Sequence, residues 1–146
     1  MAEGPELIER FLDSVNRLDF DAMRGLLHDE FVDEMPQSGE RVRGRENYVA
    51  IIANYPSGER IAGSMVESAK VFGGERWLMT PSFSLVSVQG SGDSYTAIVK
   101  SRYPDDSIWH ICQIFTIRDG KIWRSITLFA KDFEPPEWRS PWIERM

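Results

Sequence analysis

The sequence predicts an α+β fold in which helices come first and an antiparallel meander follows. Three observations carry this. Apolar residues recur at helical spacing through the first third of the 146-residue chain. β-branched and aromatic runs separated by turn residues fill the second half. Between the last two runs stands Asp119-Gly120, a pair that supplies the positive φ a type I′ hairpin turn needs. This segregated order argues against a parallel doubly wound sheet. No repeat or linker divides the chain, so one domain over 1–146 is expected.

The first helix opens on Pro5 and Glu6, and Leu7, Ile8, Phe11, Leu12, Val15 and Leu18 form its apolar stripe. Asp19 or Asp21 caps a second, short helix that turns Met23, Leu26 and Leu27 inward, and His28-Asp29-Glu30 ends it. Residues 31–43 are extended and broken by Pro36 and Gly39. A third helix follows Gly44, carries Tyr48, Val49, Ile51, Ile52 and Tyr55, and stops at Pro56. Strands are expected at 64–72, 80–89, 94–103, 107–118 and 121–131. The tail from Phe133 is proline-rich yet carries Trp138 and Trp142, so it is expected to dock on the domain.

Composition narrows the function. With 17 Lys and Arg against 23 Asp and Glu, the formal charge is −6, which disfavours nucleic-acid and anionic membrane surfaces. No run approaches the ~20 apolar residues of a membrane span. The N-terminus has neither the basic region nor the apolar run of a signal peptide. A single cysteine, Cys112, makes no internal disulfide, and a cytoplasmic setting is expected. Two histidines, His28 and His110, without metal-ligand spacing give no metal site. The glycine pairs lie between strands, so no phosphate loop is indicated. No metal or organic cofactor is therefore expected.

The order of elements, with Asp119-Gly120-Lys121-Ile122 leading into the last strand, resembles the NTF2-like superfamily. The segments from Pro36 to Asn47 and from Phe129 to Arg139 resemble bacterial SnoaL-like proteins. Membership implies a cystatin-like cone: three helices packed on a curved antiparallel sheet around one largely apolar pocket, often paired through the sheets. It is unspecific for chemistry, because the cone hosts isomerases, cyclases, dehydratases, hydrolases and plain binders.

The resemblance extends to ketosteroid isomerases, in which an Asp base moves a proton while a Tyr and a protonated Asp hold the enolate oxygen. Carried across, the tyrosine falls on Phe11, the base on Met35 and the second acid on Cys112. None supplies the required group, so ketosteroid isomerisation by that route is not expected. The same positions still point to the pocket wall.

Counting back from the turn, strand alternation puts His110, Cys112 and Ile114 on one face, opposite Trp123, Ser125, Thr127 and Phe129. His110 then becomes the leading acid–base candidate, since imidazole titrates near neutrality. The bland alternative is a hydrogen-bonded wall histidine. Asp33 is the second candidate, two residues from Met35 and so on its face, while Glu34 points the other way. Phe11, Met35, Tyr48, Cys112, Trp123, Ser125, Thr127 and Phe129 are the expected ligand-binding residues. The expected occupant is a small apolar or amphipathic molecule, handled by cofactor-free isomerisation, cyclisation or dehydration, or merely carried or sensed. An interaction module with a degenerate site is the remaining alternative. A homodimer is expected through the other sheet face, to which this parity assigns Trp109, Ile111, Phe115 and Ile117.

Overall fold

Asp119 and Gly120 take φ of 53° and 71°, and Arg118 pairs with Lys121 across them. The hairpin therefore closes as a two-residue turn of the primed kind. It joins the two longest strands of a computed structural model that describes residues 3–55, 67–71, 76–80, 83–103 and 105–146, with side-chain surroundings at 4–55, 90–103 and 105–146. Helices α1 (Glu3–Asn16) and α2 (Phe20–Leu26) come first. They are followed by strands β1 (Leu27–Met35) and β2 (Glu40–Arg43) and helix α3 (Arg45–Ala53). Six strands complete the order: β3 (Glu67–Val71), β4 (Arg76–Thr80), β5 (Phe83–Ser91), β6 (Ser94–Arg102), β7 (Ile108–Arg118) and β8 (Lys121–Lys131). A short 3-10 helix spans Glu137–Trp142.

The fold is α+β, with an open, curved six-stranded sheet in the order β2-β1-β8-β7-β6-β5. β3 and β4 form a separate antiparallel pair. All neighbours in the main sheet are antiparallel except β1 and β8, which run parallel. Those two are far apart in sequence, so no tight turn dictates their relative direction. β4 was not foreseen, and the strand expected at 80–89 occupies 83–91. The proposed stop at Pro56 lies outside the described residues.

The Asp19 side chain accepts from the Ala22 N–H at 3.1 Å and caps α2, as its position in the sequence suggested. The core lies between α1, α2 and α3 and one sheet face. Ile8, Phe11, Met23, Leu27, Phe31, Phe115 and Ile122 are fully buried there. Phe11 and Phe115 meet edge to face, with ring centroids 5.9 Å apart. Arg45 secures the start of α3, its Nη1 donating to the carbonyls of Arg24 and Leu27, each at 3.3 Å.

One irregularity reverses part of the expected alternation. Ile117 pairs with Ile122, but Thr116 pairs with Arg124, leaving Trp123 unmatched as a bulge in β8. A bulge inserts one residue and moves the partner strand by one across the remaining ladder. Thr127 consequently faces Gln113, and Phe129 faces Ile111. The inner face of β7 is thus Ile111, Gln113 and Phe115, and the outer face carries His110, Cys112 and Ile114. This corrects the expected parity of β7.

The face assigned to pairing is corrected with it. Phe115 is fully buried and Ile117 packs against the core. The outer rows instead read Ile98–Cys112–Leu128 and Thr96–Ile114–Ile126. Ile98, Ile126 and Leu128 are 41%, 38% and 37% exposed.

The tail also differs from expectation. Gln37 clamps Phe129 through both backbone groups, its Nε2 donating to the Phe129 carbonyl at 2.6 Å while its Oε1 accepts from the Phe129 N–H. Beyond Lys131 the chain leaves the sheet, and Phe133, Trp138 and Trp142 stand largely exposed. Pro135, Pro136 and Pro141 have no N–H with which to continue a ladder.

Candidate functional site

The parallel pairing of β1 and β8 sets Asp33 beside Ser125, with Thr127 two residues on and on the same face. Ser125 Oγ and Thr127 Oγ1 both donate to Asp33 Oδ1, at 2.7 and 2.8 Å. Asp33 is 2% exposed, yet it lines a cavity of about 200 Å³ between the helices and the inner sheet face. Burial raises its pKa above the ordinary carboxylate value, with the Glu34 charge adding, while the two hydroxyls act in the opposite direction. Glu34 itself points outward and pairs with Arg41 at 2.8 Å.

Tyr48 enters from α3. Its ring meets Phe31 and Phe11 at centroid distances of 5.1 and 6.1 Å. Burial holds the phenol protonated well above its ordinary value; the Asp33 charge reinforces this and the facing Gln113 amide opposes it. Gln113 is 5% exposed, and its amide faces the Tyr48 hydroxyl. Tyr48 and Gln113 thus face each other on the wall that holds the carboxylate.

The remaining wall is mostly apolar, lined by Leu12, Val15, Val42, Val99 and Ile111, with Ile51, Ile52, Tyr55 and Tyr103 also lining it. Tyr103 packs against Tyr55 at 6.0 Å and stacks on Trp109 at 5.5 Å. Among the described lining residues Asp33 is the one acidic group, and no Lys, Arg or His is present. Among the described residues no three His, Cys, Asp or Glu side chains are grouped to hold a metal ion.

Of the residues singled out in the sequence, Phe11, Asp33, Met35, Tyr48, Thr127 and Phe129 line the cavity. Ser125 lies behind Asp33 as its hydrogen-bond donor. His110, Cys112 and Trp123 do not line it. His110 is on the outer face, its Nε2 2.6 Å from Asp132 Oδ1, with both side chains about half exposed at 48% and 49%. Cys112 shares that face between Ile98 and Leu128. Trp123, displaced by the bulge, is covered by the guanidiniums of Arg124 and Arg118, at 3.9 and 4.5 Å from its ring centroid.

Gln113, Ser101, Tyr55 and Tyr103 were missed as wall residues. Gln113 becomes visible only with the β8 bulge. It occupies the inward place that an unbulged register gives Cys112. Asp33 stands two residues from Met35, and Tyr48 lies against Phe11. Each position that the isomerase resemblance left without its group therefore has a neighbour that carries one.

The SnoaL-like domain model matches residues 8–125. No curated protein sequence matches the chain. Among solved structures, an NTF-2 like protein of unknown function from Burkholderia xenovorans LB400 is 23% identical. The alignment covers 99% of this chain and 95% of that one, with a TM-score of 0.75. A protein from Kribbella flavida DSM 17836, provisionally named a ketosteroid isomerase, is 19% identical, with 99% and 90% coverage and a TM-score of 0.74. A LEH-like epoxide hydrolase from M. tuberculosis is 17% identical, with 88% and 84% coverage and a TM-score of 0.60. At these identities the structures speak for the fold, and the matched domain speaks for descent: the chain belongs to the SnoaL-like family of NTF2-like proteins.

Proposed function

We propose that the chain binds a small, mostly apolar molecule in this cavity and catalyses cofactor-free proton transfer next to a carbonyl group. The observation that carries this reading is the buried Asp33 carboxylate on a wall shared with Tyr48 and Gln113. A raised pKa makes a carboxylate a stronger base at the pH where it is still ionised. Because Ser125 and Thr127 both engage Oδ1, the second oxygen is left to take the proton.

In the reaction, Asp33 removes a proton from the carbon beside the carbonyl. The C–H electron pair moves into the new C=C bond, and the carbonyl oxygen becomes an enolate oxygen. The Tyr48 hydroxyl, still protonated at neutral pH, donates to it. Where the substrate carries a β,γ C=C bond, the enolate is a dienolate, and return of the proton from Asp33 to its γ-carbon moves the double bond into conjugation and completes an isomerisation. His110, the leading candidate from the sequence, is replaced by Asp33 in this role because it lies on the opposite face of β7. The fold shared with a protein provisionally named a ketosteroid isomerase is compatible with this class of chemistry.

The test is hydrogen–deuterium exchange at the α-carbon of butyrophenone in D2O, followed by NMR. Wild-type protein is expected to accelerate exchange over buffer, and Asp33→Asn to lower the enzymic rate by about 10²–10⁴. Equal rates in the two proteins would overturn the catalytic reading. Binding without exchange would leave a ligand carrier.

We further propose a homodimer through the outer rows of the sheet. Ile98, Cys112, Ile114, Ile126 and Leu128 form a contiguous apolar strip there, and a second copy would cover it with the same strip.

A further inference from the structure

We infer that the segment from Phe133 to Trp142 is a dimerisation arm, which crosses to a second copy of the chain and lays its aromatic side chains on the arginine-bearing end of that copy's outer sheet face. The inference rests on the proposed pairing through the outer rows of the sheet. It adds the element that makes such a pair large enough to persist and the surface that receives it.

The first observation is where the segment starts and what it leaves uncovered. The Asp132 N–H donates to the Ile108 carbonyl at 2.9 Å, and the Asp132 carboxylate meets His110 on the outer face. The chain therefore departs beside the Ile98–Cys112–Leu128 row, since Cys112 stands two residues along β7 from His110. Phe133, Trp138 and Trp142 are 76%, 73% and 78% exposed. The segment holds its own shape: Glu134 pairs with Arg145 at 3.3 Å, and Pro135, Pro136 and Pro141 restrict the backbone. An arm that is already ordered loses little entropy on docking. Extended up to Pro136 and 3-10 helical beyond, it reaches about 25 Å, roughly the length of β7 from His110 to Arg118.

The second observation is area. The side chains of the outer strip are 41% exposed or less and offer two copies no more than about 500 Å² of apolar surface. A standard interface of about 1,600 Å² is a little over half apolar, roughly 900 Å². A buried aromatic side chain contributes about 150–250 Å², so Phe133, Trp138 and Trp142 from each of two arms close the gap. Charge decides where they land. The arm and its flanks carry Asp132, Glu134, Glu137 and Glu144 against Arg139 and Arg145. The far end of the outer face carries Arg43, Arg118 and Arg124 against Glu30, while Asp119 in the turn lies near His28. Arg118 and Arg124 lie over the Trp123 ring there, so guanidiniums stand ready for both carboxylates and indoles. A two-fold axis running across the strands sets the exit of each arm over the arginine end of the other copy.

The experiment compares the full chain with Trp138→Ala/Trp142→Ala and Arg118→Glu/Arg124→Glu by sedimentation equilibrium, with circular dichroism and Tm as checks that each is folded. Wild type is expected to dimerise, and each double variant to raise the dimer dissociation constant at least about tenfold. The two tryptophans are exposed, so their removal leaves the monomer intact. A folded tryptophan variant with the wild-type dissociation constant would overturn the inference. A second measurement mixes isotope-labelled and unlabelled wild-type chains and records filtered NOEs by NMR. Contacts are expected between the Trp138 or Trp142 indole of one copy and the Arg124 or Thr116 side chain of the other. Contacts confined to a single copy, or none in a dimer, would overturn the inference. Ile126→Asp with Leu128→Lys separates the two proposals. A dimer abolished by that pair and untouched by loss of the tryptophans would sink the arm and keep the strip pairing, whereas a wild-type monomer at micromolar concentration would sink both.

Discussion

Replacing Asp33 by asparagine should stabilise the protein at neutral pH while removing its proposed base. Asp33 is 2% exposed and has no basic neighbour among the described residues of the cavity wall. Taking a carboxylate out of water costs several kcal/mol. The hydrogen bonds from Ser125 and Thr127 return about 1.5–3 kcal/mol each. Desolvation by burial outweighs them and raises the Asp33 pKa. The folded state therefore favours the protonated acid. That contribution is fully present below the ordinary carboxylate pKa and is lost as pH rises through the higher folded value. Asparagine offers the same acceptor to both hydroxyls without a charge. The expected gain at pH 7 is about 0.5–2 kcal/mol, the usual range for a single stabilising substitution. For a chain of this length that is roughly 1–8 °C in Tm. Calorimetry of both proteins from pH 3 to pH 8 provides the assay (on the order of one pH step per scan). The Tm difference should be largest at neutral pH and close as the wild-type acid becomes protonated. A variant less stable than wild type at pH 7, or a pH-independent difference, would refute the argument.

Removing both donors in Ser125→Ala/Thr127→Val should raise the Asp33 pKa further, read from the carboxyl ¹³C shift, and should lower stability at neutral pH; an unchanged titration would show that the hydroxyls do not stabilise the charge. His110→Ala should cost no more than about 1 kcal/mol, because its Asp132 pair is half exposed, and should leave butyrophenone binding unchanged in a chemical-shift titration. Ile126→Asp with Leu128→Lys should convert a dimer of 16.8 kDa chains to monomers by light scattering, and a wild-type monomer at micromolar concentration would refute the pairing proposal.

The sequence by itself determined the fold class, the three helices, the hairpin turn and a minority of the residues that line the cavity. Each of these is written in local chemistry. Apolar spacing marks α1, positive-φ residues mark the Asp119-Gly120 turn, and alternation along single strands groups Asp33 with Met35 and Thr127 with Phe129. Tertiary structure decided what depends on how strands meet. The parallel contact of β1 and β8 converts Asp33, Ser125 and Thr127 from three polar residues into one hydrogen-bonded site. The bulge at Trp123 decided which half of β7 faces the ligand. An unbulged count from the turn pairs Cys112 with Thr127, but one extra residue in β8 substitutes Gln113 and carries His110 to the outer face. Side-chain alternation has a period of two, so a single inserted residue inverts the face assigned to every position beyond it. Neither β-propensity nor hydrophobic pattern in Ile122-Trp123-Arg124 announces that insertion. It becomes decidable only when Ile122 and Ser125 are both required on the buried side, a condition set by the core they join.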